Sequence, residues 1–345
     1  MWSSLFARAG SVRPDPFLLS IMGVMLAATL APCSGTSAVV VHSLGIVAIA
    51  TLFFLQGARL SRAAVLGGIA AWRLHATIAA ITFVLFPLTS LALMTVFPTT
   101  LPPLVWMGVL FLCALPSTVQ SSIALTSMAK GNVAGAICSA TASNVAGIVL
   151  TPFIFGALSS VHGGSVSLNG VGQVVLELLV PFAVGHWLRP TIGGWVERHR
   201  RLLSVTDRGS ILVVVYGALS GAVMHGIWHQ LPDTVLLPLI MIVAFIFVIV
   251  LFGIRVMSIA FGFDRQDKIA ALFCGTQKSL ITGVPMANAL FSATAVGPVL
   301  IPMMIYYPIQ MLVCTLLARR YAVVPDAPLA MRSRAEDKLH AVGTP

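Results

Sequence analysis

Charge is what this sequence has least of. Only 9% of its 345 residues are Asp, Glu, Lys or Arg, while 58% are hydrophobic. A soluble domain carries about a quarter charged residues, so that class is excluded. Polar stretches long enough to build a soluble basic module are also missing. The formal charge of +10 therefore does not point to nucleic acid. The five cysteines, Cys33, Cys113, Cys138, Cys274 and Cys314, contain no CxxC pair and mostly fall in apolar runs, which supports neither a disulfide framework nor a zinc site. HExxH and GxSxG are absent, and no carboxylates cluster in or near an apolar run, so a membrane enzyme is the weakest of the available readings. No cofactor is implied.

What fills the chain instead is apolar segments of bilayer length. Spans of roughly 20 residues can be placed at 15–32, 38–57, 74–97, 104–128, 132–157, 170–189, 205–225, 234–258, 267–290 and 296–318. The first resembles a signal sequence in length, but Pro32 and the later spans favour an uncleaved helix. Odd-numbered connections, such as those around Ser34, Pro98 and Ser292, lack Lys and Arg. The even-numbered connections and both ends hold every basic residue except Lys278. By the positive-inside rule that basic side is the cytoplasm, and one miscounted span would scramble the sorting. The segment 59–75 reads as an amphipathic surface helix, Val196 to Arg208 as a basic connection between two halves, and 321–345 as a disordered cytoplasmic tail.

Lys278 is the exception that organises the rest. It sits inside Phe273-Cys-Gly-Thr-Gln-Lys-Ser-Leu-Ile-Thr-Gly-Val-Pro285, at mid-depth of the ninth span. A snorkelling lysine near a helix end is the ordinary alternative. Here, though, the charged run Asp264 to Lys268 and the turn at Ser292 lie too far away on either side. An ionisable residue at that depth usually faces a cavity and marks function.

The fourth span carries a second polar interruption, Leu115-Pro-Ser-Thr-Val-Gln-Ser-Ser-Ile123. Aligned on the glutamines, Gln120-Ser121-Ser122-Ile123 matches Gln277-Lys278-Ser279-Leu280. Each lies in the fourth span of a five-span half, and five is odd, so the halves (1–160 and 161–320) enter the membrane with opposite orientation. Paired interrupted helices in inverted repeats mark a transporter's binding site, because irregular backbone survives at membrane depth only around a cavity or within protein. Small hydroxyl residues packing helices together are the plainer alternative. Glu177, mid-depth in the sixth span, reads as the one acidic residue so buried; it lines the cavity, pairs with Lys278, or sits protonated against a neighbouring helix. His225 and His229 read as interfacial.

On these motifs, with Ala129-Lys-Gly-Asn132, Ala136-Ile-Cys-Ser-Ala140 and Leu150-Thr-Pro152, the chain resembles the bile acid:sodium symporter family, solute carrier family 10, and most closely the branch of its member 7 with bacterial relatives. The resemblance implies an all-α integral membrane fold. Its ten transmembrane helices form two inverted five-helix repeats, with a panel of two helices from each half and a core in which broken helices four and nine cross. It also implies where sodium-coupled members bind their ions, and there this chain departs. Phe273 stands for the expected Glu, Lys278 for an Asn, Thr82 for a Gln, Ser121-Ser122 for Ser-Asn, and Ala136 and Ala140 for hydroxyls, with Ser139 and Thr141 nearby; Gln277 is retained. Sodium coupling is accordingly not expected.

The expected function is a secondary transporter of a small, anionic organic solute in the bacterial cytoplasmic membrane, with both termini cytoplasmic. Lys278 takes the place of a coupling sodium, and a proton is the candidate coupling ion. The candidate site comprises Thr82, Ser117, Thr118, Gln120, Ser121, Ser122, Ser139, Glu177, Thr276, Gln277, Lys278, Ser279 and Gln310. A non-transporting regulator of ion or lipid homeostasis on the same fold is the alternative.

Overall fold

A computed structural model describes residues 16–59, 71–160, 168–224 and 233–323. The described residues form helices: α1 (Pro16–Leu30), α2 (Thr36–Arg59), α3 (Trp72–Ala80), a π-helical turn (Ile81–Leu85), α4 (Phe86–Val96), α5 (Pro103–Ala114), α6 (Val119–Met128), α7 (Val133–Ser160), α8 (Leu168–Arg198), α9 (Arg200–Met224), α10 (Asp233–Ala260), α11 (Arg265–Thr276), α12 (Leu280–Leu290) and α13 (Ala293–Val323). Six helical stretches among them are long and apolar enough to cross a membrane; the pair α5–α6, bent by 59°, makes a seventh if counted as one span. The protein is an all-α integral membrane protein.

Helix ends follow the local sequence. Pro103 opens α5, where its missing N–H costs nothing. Asp264 caps α11 by accepting from the Asp267 amide at 2.7 Å, and Ser279 caps α12 by accepting from the Thr282 amide at 3.2 Å. The interruption expected in the fourth span falls at 115–118 and the one in the ninth at 277–279.

The expected basic connection from Val196 to Arg208 is instead helical, α8 ending at Arg198 and α9 starting at Arg200. Much of the proposed surface helix at 59–75, the two histidines His225 and His229, and the tail beyond Val323 lie outside the described residues.

Helices α2, α8 and α9 pack side by side, with α1 against α9. The other described helices gather around α5, α7, α11 and α13, and α8 and α9 reach across to α7, α12 and α13. Two layers result. Within the first, α2 and α8 approach to backbone contact through Gly57 and Gly185: a Cβ on Gly57 would strike the Phe182 carbonyl, and one on Gly185 the Phe54 carbonyl. Small residues permit such close approach between helices in lipid, where packing rather than hydrophobic burial holds helices together. Gly57→Leu is expected to abolish recovery of monodisperse protein in size-exclusion chromatography, because its obstacle is backbone that no rotamer change removes. Gly23, with open space around it, should tolerate the same change. Equal recovery of both variants would contradict this packing.

Candidate functional site: a lysine-centred helix crossing and the cavity beside it

Proline places a bare carbonyl opposite Lys278. In the π turn the Phe86 amide bonds to the Ile81 carbonyl, five residues back. The next bond in that register would run from residue 87 to Thr82, but residue 87 is Pro and has no N–H. The freed Thr82 carbonyl instead accepts from Lys278 Nζ at 3.1 Å. Pro116 ends α5 in the same manner. Of the carbonyls left at that helix end, Cys113 and Leu115 accept from Lys278 Nζ at 2.9 and 2.6 Å, and Ala114 from Thr151 Oγ1 at 2.9 Å. The ammonium also lies 4.0 Å from the centroid of the Phe86 ring, a cation–π contact. All three donors of an ammonium are thus matched by carbonyl oxygens at the negative end of a half-helix and beside a π turn.

The opposite half-helix is finished in kind. Of the carbonyls near the end of α11, Phe273 accepts from Ser122 Oγ at 3.3 Å, Cys274 from Ser117 Oγ at 2.6 Å and Thr276 from Tyr306 Oη at 2.7 Å. The two breaks join directly through the Ser279 amide and the Pro116 carbonyl, 3.0 Å apart. Gln310 clamps the backbone of Lys278, accepting from its N–H at 2.8 Å and donating to its carbonyl at 3.2 Å. Ser121 Oγ donates to Gln277 Oε1 at 2.9 Å, while the buried Gln277 Nε2 has no partner. The crossing is therefore a polar core in which side chains of each half satisfy backbone freed in the other, as a low-dielectric interior demands.

A cavity of about 550 Å³ lies next to this crossing, between the two layers. One wall is the first turns of α6 and α12, with Thr118, Gln120, Ser279 and Thr282, joined by Thr141 and Asn144 of α7. The other wall is Gln56 and Arg59 of α2, Phe182, Arg189 and Glu197 of α8, and Asp207 of α9. Thr118 is 7% exposed and its hydroxyl has no partner. Arg59 pairs with Asp207.

The sequence-derived residues separate into groups. Thr118, Gln120 and Ser279 line the cavity. Ser117, Ser122, Thr276, Gln277, Lys278 and Gln310 build the crossing behind it, with Ser121 attached through Gln277. Lys278, expected to face a cavity, is 1% exposed and is absent from the cavity wall because the carbonyls enclose it. Thr82 contributes its carbonyl, its hydroxyl being buried without a partner. Ser139 turns to His75, its Oγ 2.6 Å from Nδ1. The glutamine alignment also slips: Gln277 lies in its break, whereas Gln120 lies in the first turn of α6, so Thr118 and Ser279 are the residues at matching N-caps. The Glu177 side chain lies outside the described residues.

The expectation of a single buried acid does not hold, since Asp207 is 2% exposed. A connection rich in arginine, with Arg198, Arg200, Arg201 and Arg208, hid it, although the apolar run that follows continues its helix. Gln56, Asn144 and Thr282 were missed as well; the run Ser139-Ala-Thr-Ala-Ser-Asn144, polar for a membrane helix, was the available signal. At the positions where the resemblance placed sodium ligands, Phe273, Ala136 and Ala140 are fully buried and apolar.

Known proteins resemble this chain along nearly its whole length. An uncharacterized protein of Pseudomonas aeruginosa is 46% identical over 326 residues, covering 94% of this chain and 98% of the relative. The candidate symporter YfeH of Escherichia coli K12 is 43% identical over 324 residues, again 94% and 98%. Sodium/bile acid cotransporter 7 of the rat is 27% identical over 323 residues, 89% of this chain and 92% of that protein. The model of the SBF-like CPA transporter family matches residues 15–323, and the chain belongs to that family.

Proposed function

We propose that this protein is a secondary transporter that moves a small organic anion across the bacterial cytoplasmic membrane by alternating access, without sodium. One observation carries the reading: the cavity between the layers is walled by the first turns of two half-helices that start at the crossing. Helix N-termini carry a partial positive charge and unsatisfied N–H groups, so an anion is the ligand class they favour. The unpartnered Thr118 hydroxyl and the Gln120 amide add polar groups that can orient it. YfeH is described as a candidate symporter, and a solute cavity at a helix break is what such a protein needs.

In this reading α1, α2, α8 and α9 are the panel and the remaining helices the core. Ten spans form two inverted halves, each contributing one broken helix, and both termini are cytoplasmic because the basic residues gather on that side. The cavity then opens toward the cytoplasm, where Arg59, Arg189 and Glu197 lie. Lys278 takes the place of a coupling cation, its ammonium surrounded by oxygens much as a bound metal ion would be.

Uptake into proteoliposomes, measured for a panel of radiolabelled organic anions against their neutral amides, tests the proposal. Anions should accumulate and amides should not, and Gln120→Ala should reduce uptake with no change in the amount of folded protein. Failure of every anion to enter, or preferential entry of the amides, would overturn it.

A further inference from the structure

We propose that Asn144 is the positioning residue that ties the two layers together through the cavity, as one half of a latch whose other half is Gln56; this rests on the alternating-access reading above. Asn144 Nδ2 donates to Gln56 Oε1 at 2.8 Å, crossing from α7 in one layer to α2 in the other. Its Oδ1 accepts from Thr282 Oγ1 at 2.7 Å, and that hydroxyl lies 2.9 Å from Ser279 Oγ, the cap of α12. One amide thus connects the first layer to the start of the broken helix. All four side chains line the cavity.

Alternating access requires the layers to move relative to each other, and the Gln56–Asn144 bond lies across that movement. Breaking it inside a membrane protein leaves an amide donor and an acceptor to be satisfied by other means. A bound solute with an acceptor oxygen can take the Asn144 N–H in place of Gln56, so occupancy of the cavity and release of the layer become one event. The amide of Asn144 also keeps Thr282 turned toward Ser279, which couples the same event to the cap of α12.

The latch makes a prediction that needs no solute. Spin labels at Leu202→Cys on α9 and Met128→Cys on α6, both exposed positions, report the separation of the layers in protein with Cys33→Ser and Cys138→Ser. Pulsed electron resonance on the otherwise unchanged chain should give one dominant distance. Gln56→Met, which keeps side-chain length but removes the acceptor, should shift the ratio of the two layer arrangements by about fivefold, the size of one net hydrogen bond. Gln56→Glu, which keeps an acceptor for Asn144, should restore the original distribution. Should Gln56→Met be recovered unfolded, Gln56→Ala is read the same way. An unchanged distribution in the variants lacking the acceptor, or an equal shift in Gln56→Glu, would overturn the latch. A protein that carries no solute yet shows these shifts would fail the transport reading alone; one that transports while its layers ignore Gln56 would fail only the latch.

Discussion

Replacing Lys278 with methionine is expected to abolish transport and to lower the midpoint of thermal unfolding, whereas removing sodium from the wild-type protein should do neither. Methionine has a similar length but no donor, so the carbonyls of Thr82, Cys113 and Leu115 would lose the N–H that each accepts. A buried polar group deprived of its partner costs about 1–3 kcal/mol, and three are affected. Part of that loss is offset, because the variant no longer desolvates an ammonium. The functional loss should exceed the structural one, since Lys278 holds the end of α5 and the bulged helix in one arrangement behind the cavity.

The expected sodium independence has a separate basis. Phe273, Ala136 and Ala140 supply no side-chain oxygen, and Lys278 supplies a fixed positive charge where a bound ion would have brought one. If that charge persists through the cycle, the carrier is a uniporter or exchanger. If Lys278 releases its proton in one half of the cycle, accumulation of the solute will follow an imposed pH gradient. Uptake with sodium replaced by choline, repeated with and without a pH gradient, separates these cases. Strict sodium dependence, or wild-type transport by Lys278→Met, would show the replacement idea to be wrong.

The broken helices were legible in the sequence because proline, glycine and several hydroxyl residues together break an apolar span, and a break at membrane depth survives only around a cavity or within protein. Lys278 was legible for the same reason. Its partners were not: they are backbone carbonyls of Cys113, Leu115 and Thr82, and a carbonyl has no letter in a sequence. Only the spacing of Thr82 and Pro87 hinted at one, through a five-residue register that exists once a π turn is known. The slip of the Gln120 alignment has a related cause. Side-chain similarity aligned the glutamines, while the chain turns at Pro116 on one side and at Gln277 on the other. The cavity wall supplied by α2, α8 and α9 was hidden more deeply still, because its polar members sit at helix ends among basic residues that topology alone would account for.

That hidden wall carries the second large expected effect, an asymmetry between two substitutions in one ion pair. Arg59 and Asp207 are joined across α2 and α9, but their surroundings differ: the arginine side chain is 29% exposed and the aspartate 3%. Arg59→Leu therefore strands a buried carboxylate, and breaking a buried pair in that way costs about 3–5 kcal/mol. Asp207→Asn should cost nearer 1 kcal/mol, because the amide oxygen can still accept from Arg59 and the guanidinium retains contact with water. The double substitution Arg59→Leu with Asp207→Leu should recover most of the stability lost by Arg59→Leu, since no uncompensated charge remains. Thermal unfolding of the detergent-solubilised variants, arranged as a double-mutant cycle, measures all three. Equal, small effects of the two single substitutions would mean that water reaches Asp207 and that the cavity wall is open there. A loss in the double variant as large as in Arg59→Leu would mean that the wall needs the pair itself rather than the absence of a stranded charge.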